Sequence, residues 1–304
     1  MKVRDMALAA LANVIWGFTY VAYPIALESF TASQMAVLRF VLAALPVVFV
    51  ARPAPWRTIL AVGATLLTGQ FLLLFFALAA GLPPGLASVT TQMHAFFAVL
   101  IAAVVLREYP TRRQGVGLVV AFTGLVLIGL TVGVDLPPLA LVLAMCAAMS
   151  WATGSILLRT TPRGVAMGPL MVWCSLVPPI PAYAASLLLD NDASLIGAVQ
   201  HASVGSLLAI VFLGTLATTL AFGIWGHLMQ RYPSAAVAPF ALLSPCTGVV
   251  AVALIFGERF GPLRAAGMAC ILAGLVVVVL PWPQIAARAA ALWRRDPACP
   301  PPST

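Results

Sequence analysis

Ten apolar stretches follow one another along the chain, near residues 6–27, 34–51, 58–80, 84–106, 113–132, 137–158, 167–189, 206–229, 234–256 and 262–282. Each approaches the length of about 20 residues that a helix needs to cross a hydrocarbon core about 30 Å thick. Glycine and proline occur inside several of them, which a membrane bundle tolerates when neighbouring helices satisfy the freed backbone groups. The pattern predicts an all-α integral membrane protein of ten transmembrane helices. Most of the breaks are short and marked by Pro, Gly or charge; the longer ones are Asp190 to Ser203 and the Pro-rich segment after Trp282. Residues 284–304 read as a disordered cytoplasmic tail. The opening Met-Lys-Val-Arg resembles a signal peptide, but its apolar run is too long for an h-region, so an uncleaved first span is expected.

The stretches fall into two sets of five. Glu108, Gly117, Gly124, Leu125 and Val126 return 150 residues later as Glu258, Gly267, Gly274, Leu275 and Val276, and Trp16 is matched by Trp151 at an offset of 135. The first repeat is assigned to residues 1–132 and the second to 133–283. Thirteen of the basic residues, beginning with Lys2 and Arg4, fall on one side of the ten spans and only Arg259 and Arg264 on the other, which places the basic side and both termini in the cytoplasm. Five is odd, so the second repeat enters the membrane upside down. Such an inverted-topology repeat offers two interconvertible arrangements of one bundle and hence alternating access. Glu108 and Glu258 then lie on opposite faces. They are read as gates paired with a nearby Arg, such as Arg112 or Arg113 and Arg259 or Arg264, as solvated loop charges, or as groups that orient a tight helix turn.

Composition sharpens this picture. Of 304 residues 62% are hydrophobic and 8% charged, with mean hydropathy +1.07, far from the roughly 25% charged residues of a soluble domain. The net charge of +8 is scattered over short breaks and forms no stripe for nucleic acid. Cys146, Cys174, Cys246 and Cys270 sit in apolar stretches and Cys299 in the tail, without metal-ligand spacing, and are read as buried inert thiols. No Walker loop, GxSxG or ligand cluster is present, so no cofactor or metal is expected and the chain is not read as an enzyme.

A few polar residues interrupt the spans. Arg39 is the only charge well inside one, where it either holds a substrate carboxylate or snorkels to headgroups. Ser88, Thr91 and Gln92 share one face of the fourth span with His94 alongside; Gln92 and His94 can bond a zwitterion, whereas Ser88 and Thr91 suit helix packing. Thr215, Thr218, Thr219 and Phe222 form a second stripe, followed by Trp225, a further candidate to bind substrate, and His227, and Gln70 adds a buried amide. Trp16 and Trp151, away from the interfacial belt, are candidates to line a central cavity from symmetric positions or to pack helices tightly. Pro239 and Pro245, like Pro178 and Pro181, can kink helices and free carbonyls. No Asp or Glu lies mid-span, so uniport or weak coupling is expected, with His94 or His227 as the interior proton sites.

Several runs resemble the EamA family of drug/metabolite transporters: V-I-W-G-F (Val14 to Phe18), L-R-F (Leu38 to Phe40), P-G-L-A-S (Pro84 to Ser88), Q-M-H-A-F-F (Gln92 to Phe97), S-W-A-T-G (Ser150 to Gly154) and R-Y-P-S-A-A-V-A-P (Arg231 to Pro239). Within that family the chain is most similar to bacterial O-acetylserine/cysteine exporters. The resemblance implies a ten-helix inner-membrane exporter of small amino acids or related metabolites. It places substrate-binding roles on Trp16, Arg39, Gln70, Gln92, Trp151 and Trp173, with His94 standing where Gln is expected. Exporters of aromatic or other neutral amino acids, or of drugs, are the neighbouring alternatives. A membrane-embedded enzyme using His94 or His227 as base, or a non-transporting scaffold, is a more distant one.

Overall fold

The computed structural model of the chain describes residues 1–131, 136–159, 165–190, 194–232 and 234–279. The boundary expected at 132/133, the tail 284–304 and Cys299 lie outside them. Ten helices long and apolar enough to cross a bilayer run Val3–Leu27, Ala32–Phe49, Trp56–Ala79, Pro84–Val105, Arg112–Gly129, Pro138–Leu158, Met167–Leu189, Val204–Arg231, Pro239–Phe256 and Pro262–Val279. They are called the first to tenth spans. Their exteriors carry Val48, Phe49, Val104, Leu188 and Leu254, each more than three-quarters exposed. Apolar surface on that scale is unstable in water and fits lipid.

Local chemistry sets several span boundaries. Thr31 with Gln34 and Thr111 with Gln114 form capping boxes at the starts of the second and fifth spans, each pair satisfying two otherwise orphaned N–H groups. The ninth span ends at Gly257, whose φ of 66° closes the helix in the left-handed region open to glycine. Its start departs from the sequence expectation of residue 234. Ser234–Val237 is a separate helical turn, and Ala238–Leu242 follows as a 3-10 segment. Pro239 explains this, since it lacks an N–H and disfavours helical geometry at the residue before it.

The glycines of the duplicated pattern meet one another. A Cβ on Gly124 would lie 2.5 Å from the carbonyl oxygen of Gly267, and one on Gly274 would lie 2.6 Å from that of Gly117. The fifth and tenth spans therefore cross backbone to backbone at two points, Gly117 with Gly274 and Gly124 with Gly267. This is an antiparallel pairing of repeat mates. Small residues allow such contact, where dispersion rather than hydrophobicity holds membrane helices together. The antiparallel pairing is the geometry that an inverted repeat requires.

The other spans obey the same two-fold relation. The first packs on the eighth and ninth, and the sixth packs on the third and fourth. The third and eighth spans each contain a π-helical segment, Gly63–Gly69 and Phe212–Leu220, which are repeat mates at the offset of 150. Trp16 Nε1 donates to the Ala217 carbonyl (3.0 Å), and Ser150 Oγ donates to the Thr65 carbonyl (2.7 Å). Each half thus anchors its leading span to the π-segment of the other half, and such segments recur at functional sites. Among the cysteines, Cys174 is buried, but Cys146 and Cys246 are exposed on the bundle exterior, contrary to the expectation of uniformly buried thiols.

Candidate functional site

Between the two halves lies a cavity of about 320 Å³, within the range that holds small ligands. Its lining runs from Tyr23 and Arg39 at one end to Ser155, Leu158 and Met167 at the other. Arg39 is 1% exposed. Its Nε donates to Thr218 Oγ1 (3.1 Å) and its Nη1 to Tyr23 Oη (3.2 Å). Its Cζ lies 4.0 Å from the centre of the Phe71 ring, with Phe40, Phe75 and Tyr23 within 6 Å. Among the described residues no carboxylate pairs with it. Aromatic faces and neutral hydroxyls recover part of the cost of burying a cation, and a ligand anion would recover much of the rest.

Aromatic rings form the waist of the cavity. Trp16 meets Phe222 and Trp225 edge-on, at centroid distances of 5.1 and 5.5 Å. Trp151 meets Phe222, Phe71 and His94 at 6.1, 6.1 and 5.8 Å. The mid-span tryptophans of the two halves thus converge on one ring, Phe222. His94 Nδ1 is 2.6 Å from the Thr91 carbonyl. A carbonyl only accepts, so Nδ1 carries a proton there and Nε2 is the nitrogen left for another contact. Gln92 lines the cavity from the turn that separates helices Pro84–Thr90 and Met93–Val105.

The structure brings seven of the expected residues together: Trp16, Arg39, Gln70, Gln92, His94, Trp151 and Trp225 all line this cavity. Trp173 stands apart. Its Nε1 donates to the Val50 carbonyl (2.9 Å) and its ring meets Trp56, which Arg52 overlies, so it belongs to a belt at the end of the bundle. His227 is exposed rather than interior. Ser88 bonds the Gly85 carbonyl (2.7 Å) and approaches that of Pro245 at 3.5 Å, while Thr91 bonds Tyr20 Oη (2.7 Å). Ser88 thus sits in a helix contact, whereas Thr91, expected to serve packing, also lies on the cavity lining. Pro239 and Pro245 flank the cavity-lining Ala241 and Ser244 of the ninth span. Among the residues missed from sequence are Asn13, Tyr20 and Tyr23 of the first span. With Trp16 they recur at spacings of three or four, a polar-aromatic face that was legible.

Comparison with known proteins agrees with this architecture. The profile of the EamA-like transporter family matches residues 4–130 and 138–280. A "Probable amino-acid metabolite efflux pump" of Escherichia coli (strain K12) is 36% identical over 287 residues, covering 92% of this chain and 96% of the relative. The chain belongs to the EamA-like transporter family. A more distant relative, the "Probable terminal-alkyne amino-acid exporter" of Streptantibioticus cattleyicolor, is 25% identical over 292 residues, covering 91% and 94% of the two chains. A solved crystal structure superimposes with a TM-score of 0.63 at 17% identity, covering 91% of this chain and 97% of the other, and shares the fold.

In this EamA-like transporter the two repeat-mate glutamates have different surroundings. Glu258 Oε2 accepts from the Gly85 N–H (3.0 Å) at the start of the fourth span. Burial pushes its carboxyl above the usual range, opposed by the Gly85 N–H, the Arg264 charge and the Leu86 N–H. Its first role is therefore a helix cap, with an Arg contributing through its field. Glu108 is exposed and lines a crevice of about 220 Å³ with Gln114 and Ser155. Ser155 also lines the central cavity, so crevice and cavity adjoin at that end.

Proposed function

We propose that this protein exports small amino acids or their derivatives from the cytoplasm by alternating access. It would do so as a multi-pass protein of the bacterial inner membrane with both termini cytoplasmic. The observation that carries the reading is Arg39: a buried guanidinium, unpaired with any described carboxylate, on the wall of a cavity of amino-acid size. A carboxylate is its natural ligand, since a guanidinium presents parallel N–H groups to two oxygens. Gln70 and Gln92 offer neutral amide oxygens that can accept from the ammonium end, and the rings of Trp16, Trp151 and Trp225 enclose the apolar part. The names of the relatives in Escherichia coli and Streptantibioticus cattleyicolor support amino-acid chemistry. The end bearing Arg52, Arg57 and Arg107 is cytoplasmic by the charge rule, and the cavity adjoins the crevice at that end.

Among the described residues no Asp or Glu lines the cavity, which favours uniport or weak coupling without a carboxylate carrier at the binding site. The test is uptake of labelled amino acids into liposomes containing the purified protein, with and without a pH gradient. Saturable uptake is expected, and Arg39→Ala should reduce it at least 100-fold while the protein remains monodisperse. Retained uptake by that variant would remove Arg39 from the site.

A further inference from the structure

Most polar groups on the cavity wall already have partners. Trp16 donates to Ala217, Thr19 to Trp16, and Ser155 to Trp151. Two carbonyl oxygens do not: Asn13 Oδ1 and Gln70 Oε1 are buried with no hydrogen-bond partner. Leaving such an oxygen unpaired typically costs about 1–3 kcal/mol. Native interiors hold few of them, and each calls for a reason. Asn13 is 1% exposed. Its Nδ2 donates to the Ala9 carbonyl at 2.8 Å, and this bond fixes the amide, because the reversed orientation would set two acceptor oxygens against each other. Oδ1 is therefore the group left over.

Asn13 and Gln70 occupy different depths. Gln70 adjoins Phe71, the ring beneath Arg39, so its amide belongs to the carboxylate end of the cavity. Asn13 precedes Tyr23 on the same helix by an axial distance of about 15 Å, and Tyr23 Oη touches Arg39. Side chains reach inward from both levels. The remaining gap is roughly the length of an amino acid whose side chain is three or four heavy atoms long, hydrogen bonds included. Between the two levels stand the rings of Trp16, Phe222 and Trp225.

We infer that Asn13 reads the far end of the substrate's side chain, so that its Oδ1 selects amino acids ending in a hydrogen-bond donor over apolar ones of equal length. This rests on the amino-acid reading of the cavity, with the carboxylate at Arg39. The order along the cavity is an anion-binding head, an aromatic waist and an accepting tail. An apolar tail would leave Oδ1 buried and unpaired, and that penalty is the source of discrimination.

The test is equilibrium binding of L-glutamine and L-norleucine to the purified protein. The two have side chains of similar length, and only glutamine ends in a donor. Asn13→Leu should lower the glutamine-to-norleucine affinity ratio about tenfold, chiefly by weakening glutamine. Asn13→Asp, whose buried carboxyl in its protonated form can donate to the Ala9 carbonyl in place of Nδ2 and still present an oxygen acceptor, should hold the ratio near that of the unmodified protein and guards against a merely misfolded Leu variant. If Asn13→Leu weakens both ligands equally, or leaves the ratio within twofold, Asn13 is a packing residue and the inference is overturned. If the unmodified protein binds neither ligand, while Arg39-dependent transport of other amino acids persists, the tail selection fails alone. If no amino acid binds or moves, the amino-acid reading falls and takes this inference with it.

Discussion

The two ends of the bundle are built from the same sequence pattern yet stand in different states. At the Glu258 end the carboxylate caps the fourth span through Gly85, and Gly248 of the ninth span lies so close to Ser88 that an added Cβ would sit 2.7 Å from the Ser88 Cβ. At the Glu108 end the carboxylate is exposed, and Ala98, the repeat mate of Gly248, lines the crevice that adjoins the central cavity. An inverted repeat makes such asymmetry informative, because each end shows the arrangement that the other can adopt. The closed end is held by a helix cap and a small-residue contact between the fourth and ninth spans. In the reversed state Glu108 and Ala98 would take over these roles.

Breaking the closed contact should have the largest effect. Gly248→Leu places a branched side chain where Ser88 and Tyr20 already stand. Overpacking of this kind typically costs about 1–3 kcal/mol, a shift of roughly 5- to 150-fold in an equilibrium between closed and open ends. Spin labels on cysteines replacing Ala79 and Phe256, which flank the Glu258 end, would report it. The label-to-label distance should lengthen by several ångströms, about the scale of a helix displacement, and transport should fall at least tenfold. An unchanged distance would mean that the contact does not hold this end shut.

A smaller and reversible effect is expected from pH. Burial raises the proton affinity of Glu258 above that of an ordinary carboxyl near 4.5, with Arg264 as the facing charge. A solvated Glu258 in the open state lacks that shift, so the closed state binds the proton more tightly and acidification favours closing. The stabilisation is complete below the ordinary value and is lost as pH rises through the raised one. Between the same labels, the closed population should grow a few-fold on acidification from neutral pH to about 4.5. Glu258→Gln, neutral at every pH and still able to accept from Gly85, should be insensitive. A pH response that survives in that variant would assign the titration to another group.

The contrast also shows what the chain declared in its sequence. The ten spans and their inversion were readable because continuous apolar length and the E-x8-G-x6-G pattern are one-dimensional signals, and Gly117, Gly124, Gly267 and Gly274 proved to be the seam between repeats. Which face of a span looks inward was less readable. In a bundle apolar on every side, no 3.6-residue alternation separates cavity from lipid. Trp225 and Trp173 therefore looked alike, yet one lines the cavity and the other donates to Val50 near the bundle end. The π-segments at Gly63–Gly69 and Phe212–Leu220 were hidden for a related reason. They are met by tertiary contacts such as Trp16 to Ala217, which local composition does not encode.

The smallest effect should come from the other glutamate. In the arrangement seen, Glu108 is exposed beside Gln114 and Ser155, where solvent and salt screen the contacts of a carboxylate to about 0–1 kcal/mol. Glu108→Ala should leave the Ala79-to-Phe256 label distance unchanged to about 1 Å, the flexibility of a packed helix pair. Its influence belongs to the reversed state, in which its proposed partner is the N–H of Ala235, the repeat mate of Gly85. Under the proposed alternating access a transport cycle passes through both states, so uptake should fall a few-fold even though this conformation is untouched. The same loss accompanied by a shifted label distance would show that Glu108 already braces the present arrangement, and the two ends would not be exchanging roles.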